Sequence, residues 1–96
     1  MKCYFVAQIK IHNEKEYQKY LDRINEVFSK YKGKYLAVDS SPTRIEGKWD
    51  YSKSVIIEFP NKSDFESWYF SKDYQTILKH RLNASTCDTI LLEGLK

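Results

Sequence analysis

Val55-Ile56-Ile57-Glu58-Phe59-Pro60, running into Asn61-Lys62-Ser63-Asp64-Phe65-Glu66-Ser67-Trp68-Tyr69, decides how this chain folds. The first stretch is rich in β-branched residues and ends at a proline, which cannot donate to a sheet ladder. A helix opens directly after it. Ser63 reads as its N-cap with Glu66 at the capping-box position, and Phe65, Trp68 and Tyr69 face inward. A strand passed straight into an amphipathic helix is half of a βαβ unit. Val55, Ile57 and Phe59 share the face that belongs under helices, and Ile56 and Glu58 share the other. A carboxylate on an apolar strand is costly to bury without a partner. Glu58 is therefore a candidate general acid or base facing a cavity between two sheets, or one half of a structural ion pair with Arg81 or Lys10.

Upstream, residues 3–11 alternate as a strand, with Phe5, Ala7, Ile9 and Ile11 on one face and Tyr4, Val6, Gln8 and Lys10 on the other. Asn13 reads as an N-cap with Glu16 three residues on. Tyr17, Tyr20, Leu21, Ile24, Val27, Phe28 and Tyr31 then follow at helical spacing, and Gly33 stands where a C′ glycine belongs. Lys34–Val38 is a second strand, broken by Asp39-Ser40-Ser41-Pro42 and resumed as an extended run over Thr43–Glu46. Gly47–Ser52 turns the chain back into the strand at 53–59, with Trp49 and Tyr51 on the turn, placed to cover a partner subunit or a pocket.

Downstream, Ser71-Lys72-Asp73 kinks the second helical region, and a further helix runs from about Tyr74 to Leu82. Tyr74, Ile77, Leu78 and Arg81 fall at i, i+3, i+4 and i+7, so Arg81 lies on or beside the apolar stripe. His80 points about 100° away around the helix and reads as exposed. Thr86–Glu93 is the closing strand. The order strand, helix, strand, strand, helix, strand gives an α+β ferredoxin-like βαββαβ plait: a four-stranded antiparallel sheet with the helices on one face. Its open face, mixed but rich in aromatics, calls for a second sheet and predicts a homodimer.

At 96 residues the chain is read as one domain, residues 1–96. Its 16 basic and 13 acidic residues are interspersed, without the basic stripe of a nucleic-acid binder. Cys3 and Cys87 have no metal-ligand spacing, and the topology puts them at opposite ends of a strand pair, too far apart to bridge. There is no apolar run long enough to span a bilayer and no signal-peptide pattern, so no membrane contact and a cytoplasmic location are expected. No nucleophile–base arrangement, phosphate loop or metal constellation stands out, and neither cofactor nor metal is expected.

Tyr4–Ile11, Gly33-Lys34-Tyr35-Leu36-Ala37, Glu46-Gly47-Lys48-Trp49, Val55–Pro60, and Trp68-Tyr69-Phe70-Ser71-Lys72-Asp73-Tyr74-Gln75 with Arg81 together resemble the DUF1330 family. The resemblance spans nearly the whole chain and implies a dimeric α+β barrel, in which two plaits set their open sheet faces together. It implies no particular reaction. Barrels related by fold include monooxygenases, muconolactone-type isomerases and polyketide-modifying enzymes. Asp39 departs from the arginine or small residue expected after the Tyr-Leu-Ala segment, and its charge would matter if it reached the pocket.

The chain thus reads as a small-molecule-binding homodimer, open to being a cofactor-independent enzyme that acts on a small anionic or aromatic compound. In that reading Glu58 handles a proton, Arg81 holds an anionic group through its bidentate fork, and Gln8, Tyr69, Tyr74 and Trp49 form walls and lid. The alternative is a non-catalytic ligand-sensing or oligomerisation module. An enclosed pocket with Glu58 and Arg81 reaching a common point would favour chemistry.

Overall fold

The computed structural model describes residues 1–96. In chain order the elements are β1 (Cys3–Ile11), α1 (Glu14–Phe28), β2 (Lys34–Asp39), β3 (Lys53–Phe59), α2 (Lys62–Tyr69), α3 (Lys72–Ala84) and β4 (Ser85–Glu93). The strands form one antiparallel sheet in the order β2-β3-β1-β4, the ferredoxin-like plait expected from the sequence. Strand parity sorts the two faces as read. Cys3, Phe5, Ala7 and Ile9 of β1 and Val55, Ile57 and Phe59 of β3 are all buried under the helices. Cys3 lies opposite Glu93 and Cys87 opposite Ile9, so the cysteines sit at opposite ends of the β1–β4 pair, and both are free.

The core is aromatic. Trp68, Phe59 and Tyr74 are fully buried; the Trp68 ring stacks on Phe59 at 5.4 Å and leans on Tyr74 at 4.2 Å. Rings of this size dominate the burial energy of so small a domain. Helix ends are closed by side chains. Asn13 accepts from the Glu16 amide at the start of α1, and Ser71 accepts from the Tyr74 amide at the start of α3. The carbonyl of Ala84, at the end of α3, accepts from the amides of His12 and Asn13. That clamp ties the last turn of α3, which carries Arg81, to the segment that leads from β1 into α1.

Several expectations are corrected. The N-cap of α2 is Asn61, whose side chain accepts from the Asp64 amide at 2.8 Å, so the helix starts ahead of Ser63 and takes Asp64 into its first turn, where it complements the dipole. Gly33 is not a left-handed cap, since α1 ends at Phe28 with Ser29 in right-handed geometry. Its missing side chain serves a close approach instead. A Cβ there would lie 2.4 Å from Phe28 Cζ and 2.7 Å from Phe59 Cε1. Thr43–Glu46 forms no strand: the whole connection from 40 to 52 is irregular, and Gly47 takes a positive φ of 80° that favours glycine. His80 is half-buried rather than exposed, its Nδ1 2.5 Å from Glu16 Oε2 across α1 and α3.

Candidate functional site

The sheet and the helices do not close completely on each other. Between them lies a cavity of about 320 Å³, at the small end for ligand sites. Phe5, Ala7 and Ile9 of β1 with Val55 and Ile57 of β3 form its floor, and the single methyl of Ala7 between larger neighbours leaves room above the sheet. Tyr17, Tyr20, Leu21 and Ile24 of α1 form a wall, and Trp68 and Arg81 come from α2 and α3. Tyr35 and Val38 of β2 also line it, although their spacing in a regular strand would put them on opposite faces. A register shift between Tyr35 and Ala37 resolves this: Tyr35 pairs with Ile57 and Val38 with Val55, so both turn toward the helices.

Arg81 is the chemical centre of this cavity. It is 2% exposed, and no carboxylate lies within ion-pair distance of it. Its Nε and Nη1 are buried without a protein acceptor, and the guanidinium lies over the Tyr20 ring, 5.7 Å from its centroid. Guanidinium stays protonated in proteins, so this is a fixed positive charge, and buried charges are normally paired. The phenols around it stay neutral. Burial pushes Tyr17 up to about 12, with Arg81 pulling the other way, and burial pushes Tyr35 up to about 12 as well. Burial also raises Tyr20 and Tyr74. The hydroxyls of Tyr20 and Tyr74 are 2.8 Å apart, so one donates to the other and the acceptor keeps its own proton to offer elsewhere. Lys53, at the start of β3, adds a second cation, with its ammonium 5.1 Å from the Tyr17 ring centroid. No carboxylate or imidazole lines the cavity. Its polar groups are cations, phenols, an indole and the amide of Asn25, an equipment for holding an oxyanion in a largely apolar setting.

Of the candidates read from the sequence, Arg81 alone lines this cavity; Tyr74 stands behind it, hydrogen-bonded to Tyr20. Glu58 does lie on the sheet face away from the helices, opposite Tyr4 on β1 and Lys34 on β2. Its ion pair is with Lys2, at 3.1 Å, and not with Arg81 or Lys10. Glu58 and Arg81 are thus on opposite faces of the sheet and reach no common point. Gln8 shares the open face, opposite Asp88 and Ser54. Tyr69 belongs to the core edge, stacked on Phe65 at 5.5 Å. Trp49 lies against Tyr51 at 5.0 Å in a loop tied down on the open-face side, where Tyr51 donates to Asp88 and Lys10 pairs with Asp50, so it does not cover the cavity. Asp39 caps its own turn by accepting from the Ser41 amide and does not line the cavity.

Lys53 is the functional candidate that sequence reading passed over, and the signal was present. It has the inward parity of Val55, Ile57 and Phe59, where a lysine is out of place. Tyr17 and Tyr20 read only as packing on the inner face of α1; nothing in their spacing says that a buried guanidinium will stand against them.

Comparison with known families accounts for this architecture. The family model described as "Domain of unknown function (DUF1330)" matches residues 2–95. The chain belongs to the DUF1330 family. Among solved structures, this DUF1330 chain is similar to the RPA0582 protein of unknown function from Rhodopseudomonas palustris, with a TM-score of 0.81 at 19% identity over 99% of this chain and 83% of that one. It is also similar to SnoaB, a cofactor-independent oxygenase from Streptomyces nogalater, with a TM-score of 0.71 at 14% identity over 99% and 94% of the two chains. A dimeric ferredoxin-like protein of unknown function from Jannaschia sp. CCS1 gives a TM-score of 0.74 at 12% identity over 98% and 100%. At such identities the likeness is one of fold. No curated protein matches the chain.

Proposed function

We propose that this DUF1330 protein binds a small, largely apolar anion in the cavity beneath its helices, with Arg81 as the anchor of the anionic group. The observation that carries this reading is the buried guanidinium, unpaired with any carboxylate, whose Nε and Nη1 no protein acceptor reaches. A carboxylate, phenolate or enolate oxygen brought against the guanidinium would pair its charge, and the aliphatic and aromatic lining would take the rest of the ligand. Titration calorimetry with benzoate and its neutral analogue benzamide tests it. Benzoate is expected to bind wild type and to lose its affinity in Arg81→Gln; equal binding of acid and amide would overturn the reading.

Two protomers are proposed to associate through the open sheet face. Ile90 and Leu92 are about half exposed there, beside the partly buried Val6 and Ile56, and the Jannaschia neighbour is described as dimeric. Such a face on a lone small domain is an interface in waiting. It would enclose Glu58 and Lys2, which places that pair in assembly rather than in the Arg81 site.

If the bound molecule is turned over, the cavity supplies oxyanion stabilisation and exclusion of water. A cofactor-independent oxygenase on the same fold supports this enzyme-like reading. The absence of a carboxylate or imidazole from the lining favours the second reading, a sensor that binds its ligand without changing it.

A further inference from the structure

The charge count of the cavity goes beyond one anchor. Lys53 lies on the inward face of β3, half-buried, and no carboxylate comes within ion-pair distance of its ammonium. Lys53 is thus an unpaired cation on the inward face of the sheet, among the residues that line the cavity. Glu14, in the first turn of α1, supports its charge only through space, and burial works against that charge and lowers its pKa. Tyr17 and Tyr20 hold the two cations apart on one wall. Their ring centroids are 5.9 Å apart, with Lys53 over the first ring and Arg81 over the second.

We propose that the cavity selects a two-headed ligand: an apolar, planar skeleton with one carboxylate for Arg81 and a second anionic oxygen for Lys53. This rests on the reading of Arg81 as anion anchor. A monoanion neutralises one of the two cations and leaves the other desolvated beside it, whereas a dianion meets both. Discrimination then comes from the charge that a wrong ligand leaves unpaired. The phenols between the cations keep their protons and so repel neither head.

The test is titration calorimetry of wild type, Lys53→Met and Arg81→Gln with benzoate and the three benzene dicarboxylates, whose carboxylates differ in spacing. At least one dicarboxylate is expected to bind wild type about tenfold more tightly than benzoate. Lys53→Met, which keeps an unbranched apolar stem, is expected to bring that ratio close to one. A wild-type ratio near one for all three dicarboxylates, or a ratio that survives Lys53→Met, would overturn the two-headed ligand while leaving the Arg81 anchor standing. Binding of acids that persists in Arg81→Gln would overturn the anchor itself, and the two-headed ligand with it. Far-ultraviolet circular dichroism of each variant confirms that an altered ratio comes from a folded protein.

Discussion

Replacing Arg81 by methionine should make the ligand-free protein more stable and functionally blind. The side chain is 2% exposed and has no carboxylate partner, and its Nε and Nη1 lack protein acceptors. Each unsatisfied buried donor costs about 1–3 kcal/mol. Methionine is comparable in length, carries no charge, and fills irregular space well. The substitution forfeits the interaction with the Tyr20 ring, worth about 0.5–2 kcal/mol. At the lower end of the donor range the two nitrogens together cost about 2 kcal/mol. The net expectation is a gain of about 0–1.5 kcal/mol, within the span seen when buried ionic groups give way to apolar ones. For a domain of this size that raises Tm by up to roughly 10 °C. Thermal unfolding of both proteins at equal protomer concentration measures it, since association makes Tm depend on concentration. The same scans with benzoate should show a rise in Tm for wild type and none for Arg81→Met. A fall of Tm in the ligand-free variant would refute the reasoning, because it would make Arg81 a structural clamp rather than a group held ready for a ligand.

Other consequences follow from the same geometry. Gly33→Ala drives a methyl group into Phe28 and Phe59, so chemical denaturation should show a loss of about 1–3 kcal/mol; an unchanged midpoint would mean that the rings yield freely. The Asp73 carboxyl is held well below the usual range by the Ser71 hydroxyl, the Tyr31 hydroxyl and the Lys30 ammonium. A depressed folded pKa gives stability that is fully present above the ordinary value of 3.8 and lost as pH falls through the folded one. Asp73→Asn should therefore lie below wild type in stability at neutral pH and converge with it under strong acid, and a gap independent of pH would contradict this. Native mass spectrometry should show a dimer. A clean monomer at micromolar concentration would remove the sheet-to-sheet assembly without touching the cavity.

Much of the fold could be read from local rules, because strand parity and helix caps are local. The inward set Phe5, Ala7, Ile9, Val55, Ile57 and Phe59 follows from a period of two, and Asn13 caps α1 as its side-chain chemistry demands. Arg81 on the apolar stripe of α3 was legible for the same reason. What failed depended on relations that no single segment contains. The register shift at β2, which turns both Tyr35 and Val38 inward, leaves no trace in residue types. Gly33 looks like a cap in the sequence, and only the approach of Phe59 from another strand reveals its purpose. Glu58 interrupts an apolar strand with a carboxylate and does lie on the open face, whereas the cavity that Arg81 lines is on the other side of the sheet. Which face holds a void depends on side-chain volumes across the sheet and helix layers, and the small side chain of Ala7 weighs more there than any charge on β3.

The most direct measurement is a crystal structure of the protein with 4-bromobenzoate, the bromine located by its anomalous scattering. The account predicts the ring between sheet and helices, above Ala7, with its carboxylate against the Arg81 guanidinium. Bromine density on the open sheet face near Glu58, with the cavity under the helices holding no ligand, would contradict it.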